Sequence, residues 1–169
     1  MPDAAAATRS PVDLAHELFS EVLNRRDADA LLPFWAEDIV EVFPTGTLTG
    51  RQQVRDYFAE TFAAIPDFHM EAQRIAGDDE TVFVKWFLTG TFSGAPWMGI
   101  EPTGSRIELH GMDCFTVRDG LVVHNHVIYD SASFARQIGM LPAEGSAPDR
   151  GMQAAFNVRT RLRKRLRRS

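Results

Sequence analysis

The chain has 169 residues, a net charge of −5, 44% hydrophobic and 10% aromatic residues, and one cysteine, Cys114. A chain this long fits one domain and buries about two-thirds of its unfolded surface, so a packed core forms without staples. A lone cysteine excludes an intrachain disulfide, no apolar run approaches the ~20 residues of a bilayer span, and residues 1–10 lack the basic-then-apolar order of a signal peptide, so a cytoplasmic protein is expected.

The charge is uneven. Arg159, Arg161, Arg163, Lys164, Arg165, Arg167 and Arg168 form a basic end without an acid, leaving 11 basic against 23 acidic residues in the body, a net of −12. An acidic body is not a nucleic-acid surface, and no such partner is expected.

In chain order, the Ala-rich residues 1–10 read as disordered. Ser10 and Pro11 then suit the N-cap and first position of a helix whose apolar stripe is Val12, Ala15, Phe19, Val22 and Leu23. A polar break at 24–29 precedes a short helix at 30–35, and a β-rich run at 39–43 ends at Pro44-Thr45-Gly46. Residues 50–64 read as a helix with Val54, Tyr57, Phe58 and Phe62 on one side, stopped by Pro66. Strand-like runs follow at 68–76, 81–92, 106–117 and 121–129, the last two joined by the hairpin signal Asp119-Gly120. A short helix spans 131–138, a linker 143–151 and a basic helix 152–168 with Met152, Ala155, Phe156, Leu162 and Leu166 as a loose apolar stripe. Three helices followed by long strands predict an α+β domain over residues 11–142. Its curved antiparallel sheet and helices form a cone-shaped barrel around a pocket.

The stretch Val84-Lys85-Trp86, Gly90-Thr91-Phe92-Ser93-Gly94, Pro102-Thr103-Gly104-Ser105-Arg106, Asp119-Gly120-Leu121-Val122, Tyr129-Asp130 and Arg136-Gln137-Ile138-Gly139 resembles the SnoaL-like polyketide cyclases of the nuclear transport factor 2-like superfamily. The resemblance implies a cone-shaped pocket, a homodimer through the outer sheet face, and chemistry without a cofactor. It places Asp113 where ketosteroid isomerases carry a protonated carboxyl, and Glu41 where the cyclases carry a pocket Asn. It also marks departures. Phe43 replaces the isomerase base and Phe19 its oxyanion-hole Tyr, Val127 replaces a catalytic Asp, and Gly111 the Arg of the epoxide hydrolases. None of these catalytic sets is complete.

Strand alternation puts Leu109, Gly111, Asp113 and Phe115 on one face, matched by Val123, Asn125, Val127 and Tyr129 on the next strand and by Glu41 and Phe43 on the first. Lys85, Phe87 and Thr89 are expected to share that face. Asp113 is the candidate acid or hydrogen-bond donor and Glu41 the candidate base. Phe19, Phe43, Phe58, Lys85, Phe87, Asn125, Val127 and Tyr129 are the candidate substrate-binding residues. The alternatives are a structural Asp113–Lys85 pair and an exposed Glu41 at a strand edge. Asp130 fits the N-cap of the 131–138 helix.

His110, His124 and His126 share the opposite face in no recognised metal spacing, so no metal is expected there. Trp97 and Met98 read equally as a flap over the pocket mouth or as surface packing. The basic helix suits a solvated end or an anionic surface. The functional expectation is acid/base cyclisation or isomerisation of an apolar, oxygenated, polyketide- or steroid-like molecule. A non-catalytic binding protein or an epoxide hydrolase are the alternatives.

Overall fold

The computed structural model describes residues 9–167. Most of the N-terminal stretch expected to be disordered, residues 1–8, and Arg168 of the basic end lie outside them. Ser10 caps helix α1 (Pro11–Glu17), its hydroxyl accepting from the Asp13 N–H at 3.1 Å with Pro11 at the first position. The helix runs on through a π turn, Leu18–Val22, and a 3-10 turn, Leu23–Arg25. Its core face is carried by Leu14, Ala15, Leu18, Phe19, Val22 and Leu23, while Val12 is half-buried. A second 3-10 segment, Asp29–Phe34, takes the place of the expected short helix.

Strand β1 (Trp35–Phe43) pairs with β2 (Gly46–Thr49), a strand too short for its alternation to show in the sequence. Helix α2 (Arg51–Ala64) follows, then β3 (His69–Gly77), β4 (Thr81–Thr91), β5 (Arg106–Arg118) and β6 (Leu121–Tyr129). The sheet order is β2-β1-β6-β5-β4-β3, an unclosed curved sheet. It is mixed rather than wholly antiparallel: β1 and β6 run parallel, because most of the chain, not a hairpin, connects them. Helix α1 packs on β3 and β4, and α2 on β1, so the core fills the concave side. At the β3 edge the Asn24 side chain accepts from the Met70 N–H (2.8 Å) and donates to the Met70 carbonyl (2.9 Å), as a neighbouring strand would.

The register corrects one sequence expectation. Residues opposite one another in an antiparallel pair share a face, and Val84, not Lys85, stands opposite Asp113. Val82, Val84, Trp86 and Leu88 therefore face inward, and Phe83, Lys85 and Phe87 face outward. Alternation within a strand is local, but its phase relative to the next strand is set by pairing. A bulge between Thr116 and Val117 has a similar effect on β6, burying Val122 instead of Val123.

Asp130 caps helix α3 (Ser131–Gln137), accepting from the Ser133 N–H at 2.9 Å. Helix α4 (Ala147–Leu166) begins inside the expected linker. Its start is built by Ser146, which accepts from the Asp149 N–H at 3.3 Å, and by Asp149, which accepts from the Gly145 N–H at 3.0 Å. Met152, Phe156, Leu162 and Leu166 on α4 are exposed. No described helix is long and apolar enough to cross a membrane.

Candidate active site

The concave face encloses a cavity of about 80 Å³ bounded by β1, β4, β5 and β6, by α2, and by the turn that carries Trp97. Its walls are almost wholly apolar, and two carboxyl groups stand among them: Glu41, 2% exposed, and Asp113, 8% exposed. Strand alternation brings both inward, Glu41 from β1 and Asp113 from β5, across the intervening β6.

The carboxyls are met by donors from β4 and β6. The Trp86 indole N–H donates to Asp113 Oδ1 at 3.2 Å, and Asn125 Nδ2 donates to Glu41 Oε1 at 3.1 Å. Glu41 Oε2 is buried without a partner. The Trp86 contact depends on Gly111, which lies opposite Trp86 in the β4–β5 register. A Cβ at position 111 would lie 2.2 Å from the indole Cζ2, and no Arg fits where the ring lies. Gly111→Ala is therefore expected to displace Trp86 and cost roughly 1–3 kcal/mol as overpacking, lowering the melting temperature by about 3–10 °C. An unchanged melting temperature together with unchanged tryptophan fluorescence would contradict this coupling.

Burial pushes the Glu41 carboxyl up to about 8, helped by the Asp113 charge and opposed by the Asn125 amide. Burial also raises Asp113, to about 7, against the Trp86 and Asn125 donors. Two coupled buried carboxyls lose their protons in sequence, because the charge of the first raises the proton affinity of the second. Between the two steps the cavity holds one carboxylate and one carboxylic acid. Asp113, which accepts from the indole N–H, is the better placed to carry the charge, and Glu41 Oε2 has no protein bond. Tyr57, also buried in the wall, stays a neutral phenol.

Of the residues expected at the site, Glu41, Phe43, Phe58, Asp113, Val127 and Tyr129 line the cavity. Asn125 is buried behind it, on Glu41. Phe19 packs in the core instead, its ring 6.1 Å from that of Phe115, on the π turn Leu18–Val22 that packs against β3. Lys85 and Phe87 stand on the outer face for the register reason given above, so Lys85 does not pair with Asp113. Cavity residues the sequence did not mark include Trp86, Leu88, Tyr57 and Phe134, with Leu23, Thr61, Ile65, Phe68 and Met70. The alternation Val82, Val84, Trp86, Leu88 against a phase containing Lys85 was the available signal for the first two.

Trp97 is 7% exposed and closes the cavity against Tyr57 (6.1 Å between ring centres) and Phe134 (5.5 Å), while Met98 beside it is exposed. The cavity holds about 80 Å³, roughly half the ~150 Å³ that holds a benzene. The turn is a self-bonded unit, with Trp97 and Ile100 exchanging backbone hydrogen bonds at 3.0 and 2.9 Å and left-handed Met98 and Gly99 between them. Among the described residues no cluster of three or more His, Cys, Asp or Glu is placed to hold a metal ion.

A family model for the SnoaL-like domain matches residues 16–125. No curated protein matches the chain. Among solved structures it is similar to a protein from Jannaschia sp. CCS1 named for the SnoaL-like polyketide cyclases, at 22% identity and a TM-score of 0.69 over 79% of this chain and 98% of that one. A protein of ketosteroid isomerase-like fold from Catenulispora acidiphila is 22% identical, TM-score 0.64, over 81% and 98%. IdmH of Streptomyces antibioticus, also named for the polyketide cyclases, is 26% identical, TM-score 0.63, over 75% and 96%. These likenesses agree with the α+β sheet-and-pocket architecture expected from the sequence.

Proposed function

The chain belongs to the SnoaL-like domain family, and from that premise we propose that it catalyses proton transfer on an enolisable carbonyl of an apolar, oxygenated small molecule, leading to cyclisation or isomerisation. The observation that carries the reading is the pair Glu41 and Asp113 buried in one apolar cavity, each with a raised proton affinity. Polyketide-like substrates are favoured by the name and the 26% identity of IdmH.

The roles reverse those the sequence suggested. Asp113, steadied as an anion by the Trp86 N–H, takes the proton from the carbon beside the carbonyl. The electron pair moves to the carbonyl oxygen, and Glu41 Oε2–H donates to the enolate that forms. Asp113 then returns its proton to another carbon, completing an isomerisation. Alternatively, the enolate carbon attacks a second carbonyl of the same molecule, and Asp113 delivers the abstracted proton to the new alkoxide, leaving both carboxyls as they began. An apolar wall that excludes water strengthens both interactions.

Epoxide hydrolysis fits less well. Val127 offers no carboxylate, and the indole of Trp86 covers Gly111, where those enzymes need an Arg. The test of the proposal is solvent deuterium exchange into the α positions of 2-tetralone, an apolar enolisable ketone, followed by NMR. Binding of the ketone without catalysed exchange would leave the non-catalytic reading in its place.

A homodimer through the outer sheet face belongs to this reading. Phe83, Met112 and Ile128 are exposed on three adjacent strands, with Met112 directly opposite Ile128. Such an apolar strip suits a second copy. Ile128→Asp is expected to shift the protein from dimer to monomer in light scattering, and a wild-type monomer at high concentration would dismiss the interface. A cytoplasmic location, supported by the lone cysteine, completes the reading.

A further inference from the structure

We infer that Trp97 is a specificity-determining residue, its indole N–H donating to an acceptor oxygen at the end of the substrate remote from Glu41 and Asp113. The inference rests on the ligand-pocket reading above and extends it to substrate class: a flat ring compound with two separated oxygens.

Trp97 lines the cavity, and its Nε1 is buried with no hydrogen-bond partner. Leaving such a donor unmade costs on the order of 1–3 kcal/mol. A phenylalanine would fill the same space between Tyr57 and Phe134 at no such cost, so the indole nitrogen has no use in the closed protein. Glu41 Oε2, in the same wall, is the other cavity-lining atom left unpaired. Among the described residues the remaining unpaired buried side-chain atoms are Asn125 Oδ1, on the residue bonded to Glu41, and Arg136 Nε on α3. Two orphaned polar atoms, both donors when Glu41 is protonated, mark where a ligand's oxygens belong.

A row of ring contacts connects the two ends of the cavity. Trp86, bonded to Asp113, is 6.5 Å from Tyr129. Tyr129 is 6.4 Å from Phe134, and Phe134 is 5.5 Å from Trp97. Aromatic walls lie between the carboxyl pair and the indole, and rings pack best against a flat, ring-bearing guest. One oxygen of that guest meets the carboxyl pair and the other meets Trp97.

Two naphthols test this. 2-Naphthol has one oxygen, an enol mimic for the carboxyl pair. 6-Methoxy-2-naphthol adds an acceptor at the far end. Wild-type protein is expected to bind the methoxy compound about tenfold more tightly, the worth of one buried hydrogen bond. Trp97→Phe should erase that preference, so that the two naphthols bind alike, whatever the variant does to the affinity for 2-naphthol. In ¹H–¹⁵N spectra the Trp97 Nε1 signal, identified by its loss in the variant, should move on binding 6-methoxy-2-naphthol and much less on binding 2-naphthol. Equal affinity of the wild type for both naphthols, or a preference that survives Trp97→Phe, overturns the assignment of Trp97 alone. Failure of a folded wild-type protein to bind either compound overturns the pocket reading beneath it.

Discussion

Asp113→Asn is expected to lower the rate of deuterium exchange into 2-tetralone by about 10²–10⁴-fold, the usual worth of a positioned general base. Asparagine has the same shape and its carbonyl still accepts from the Trp86 N–H, so the cavity survives while the base is lost. Binding of 2-naphthol should change by less than about tenfold, since a single hydrogen bond is altered. Glu41→Gln keeps a donor where the acid's O–H stood and should cost far less, about tenfold, in the same assay. The wild-type rate should trace a bell against pH. It rises as Asp113 ionises near 7 and falls as Glu41 loses its proton near 8. Exchange that proceeds at the wild-type rate in Asp113→Asn would remove the enzyme reading.

The same pair sets a large pH dependence of stability, with a sign opposite to that of ordinary salt-bridged carboxylates. Unfolded Asp and Glu ionise near about 4, whereas Asp113 and Glu41 in the fold hold their protons to about 7 and about 8. Between those limits the native state binds more protons than the unfolded chain, so stability falls as pH rises. Below the unfolded values both states are protonated and nothing is lost. Above the folded values the loss is complete, on the order of 4 kcal/mol for each buried carboxyl. Asp29, Asp67 and Asp78 are lowered in the fold by hydrogen bonds from Arg55, from Thr91, and from the Glu80 and Thr81 backbone, respectively. Their contribution is present above their unfolded values and is lost only at lower pH, outside the window of the pair. Asp113→Asn should therefore melt about 5–10 °C above the wild type at pH 8 and close to it below about pH 4. A variant that is less stable than the wild type at pH 8 would show that the carboxyl is held ionised by partners and is not strained by burial. A more stable yet inactive variant is the signature expected where stability has been given up for chemistry.

Much of the fold was legible in the chain because its signals are local. Ser10 and Asp130 cap the helices they were expected to cap, since an N-cap needs only a side-chain oxygen within three residues of a free N–H. The same logic at Ser146 and Asp149 was readable, yet the start of α4 was placed too late, behind Gly151. Asp113 and Asn125 could be put on the inner face by alternation alone, a property of each strand.

What stayed hidden was relational. Lys85 and Trp86 exchange faces if β4 slides by one residue against β5, and only the pairing of Val84 with Asp113 chooses between them. The parallel pairing of β1 with β6 sets Glu41 beside Asn125 and buries it, though nothing near position 41 in the chain distinguishes it from an exposed charge. The proposed division of labour between the two carboxyls depends on donors brought from β4 and β6. A carboxyl's proton affinity follows its surroundings, and these are assembled from residues distant in sequence.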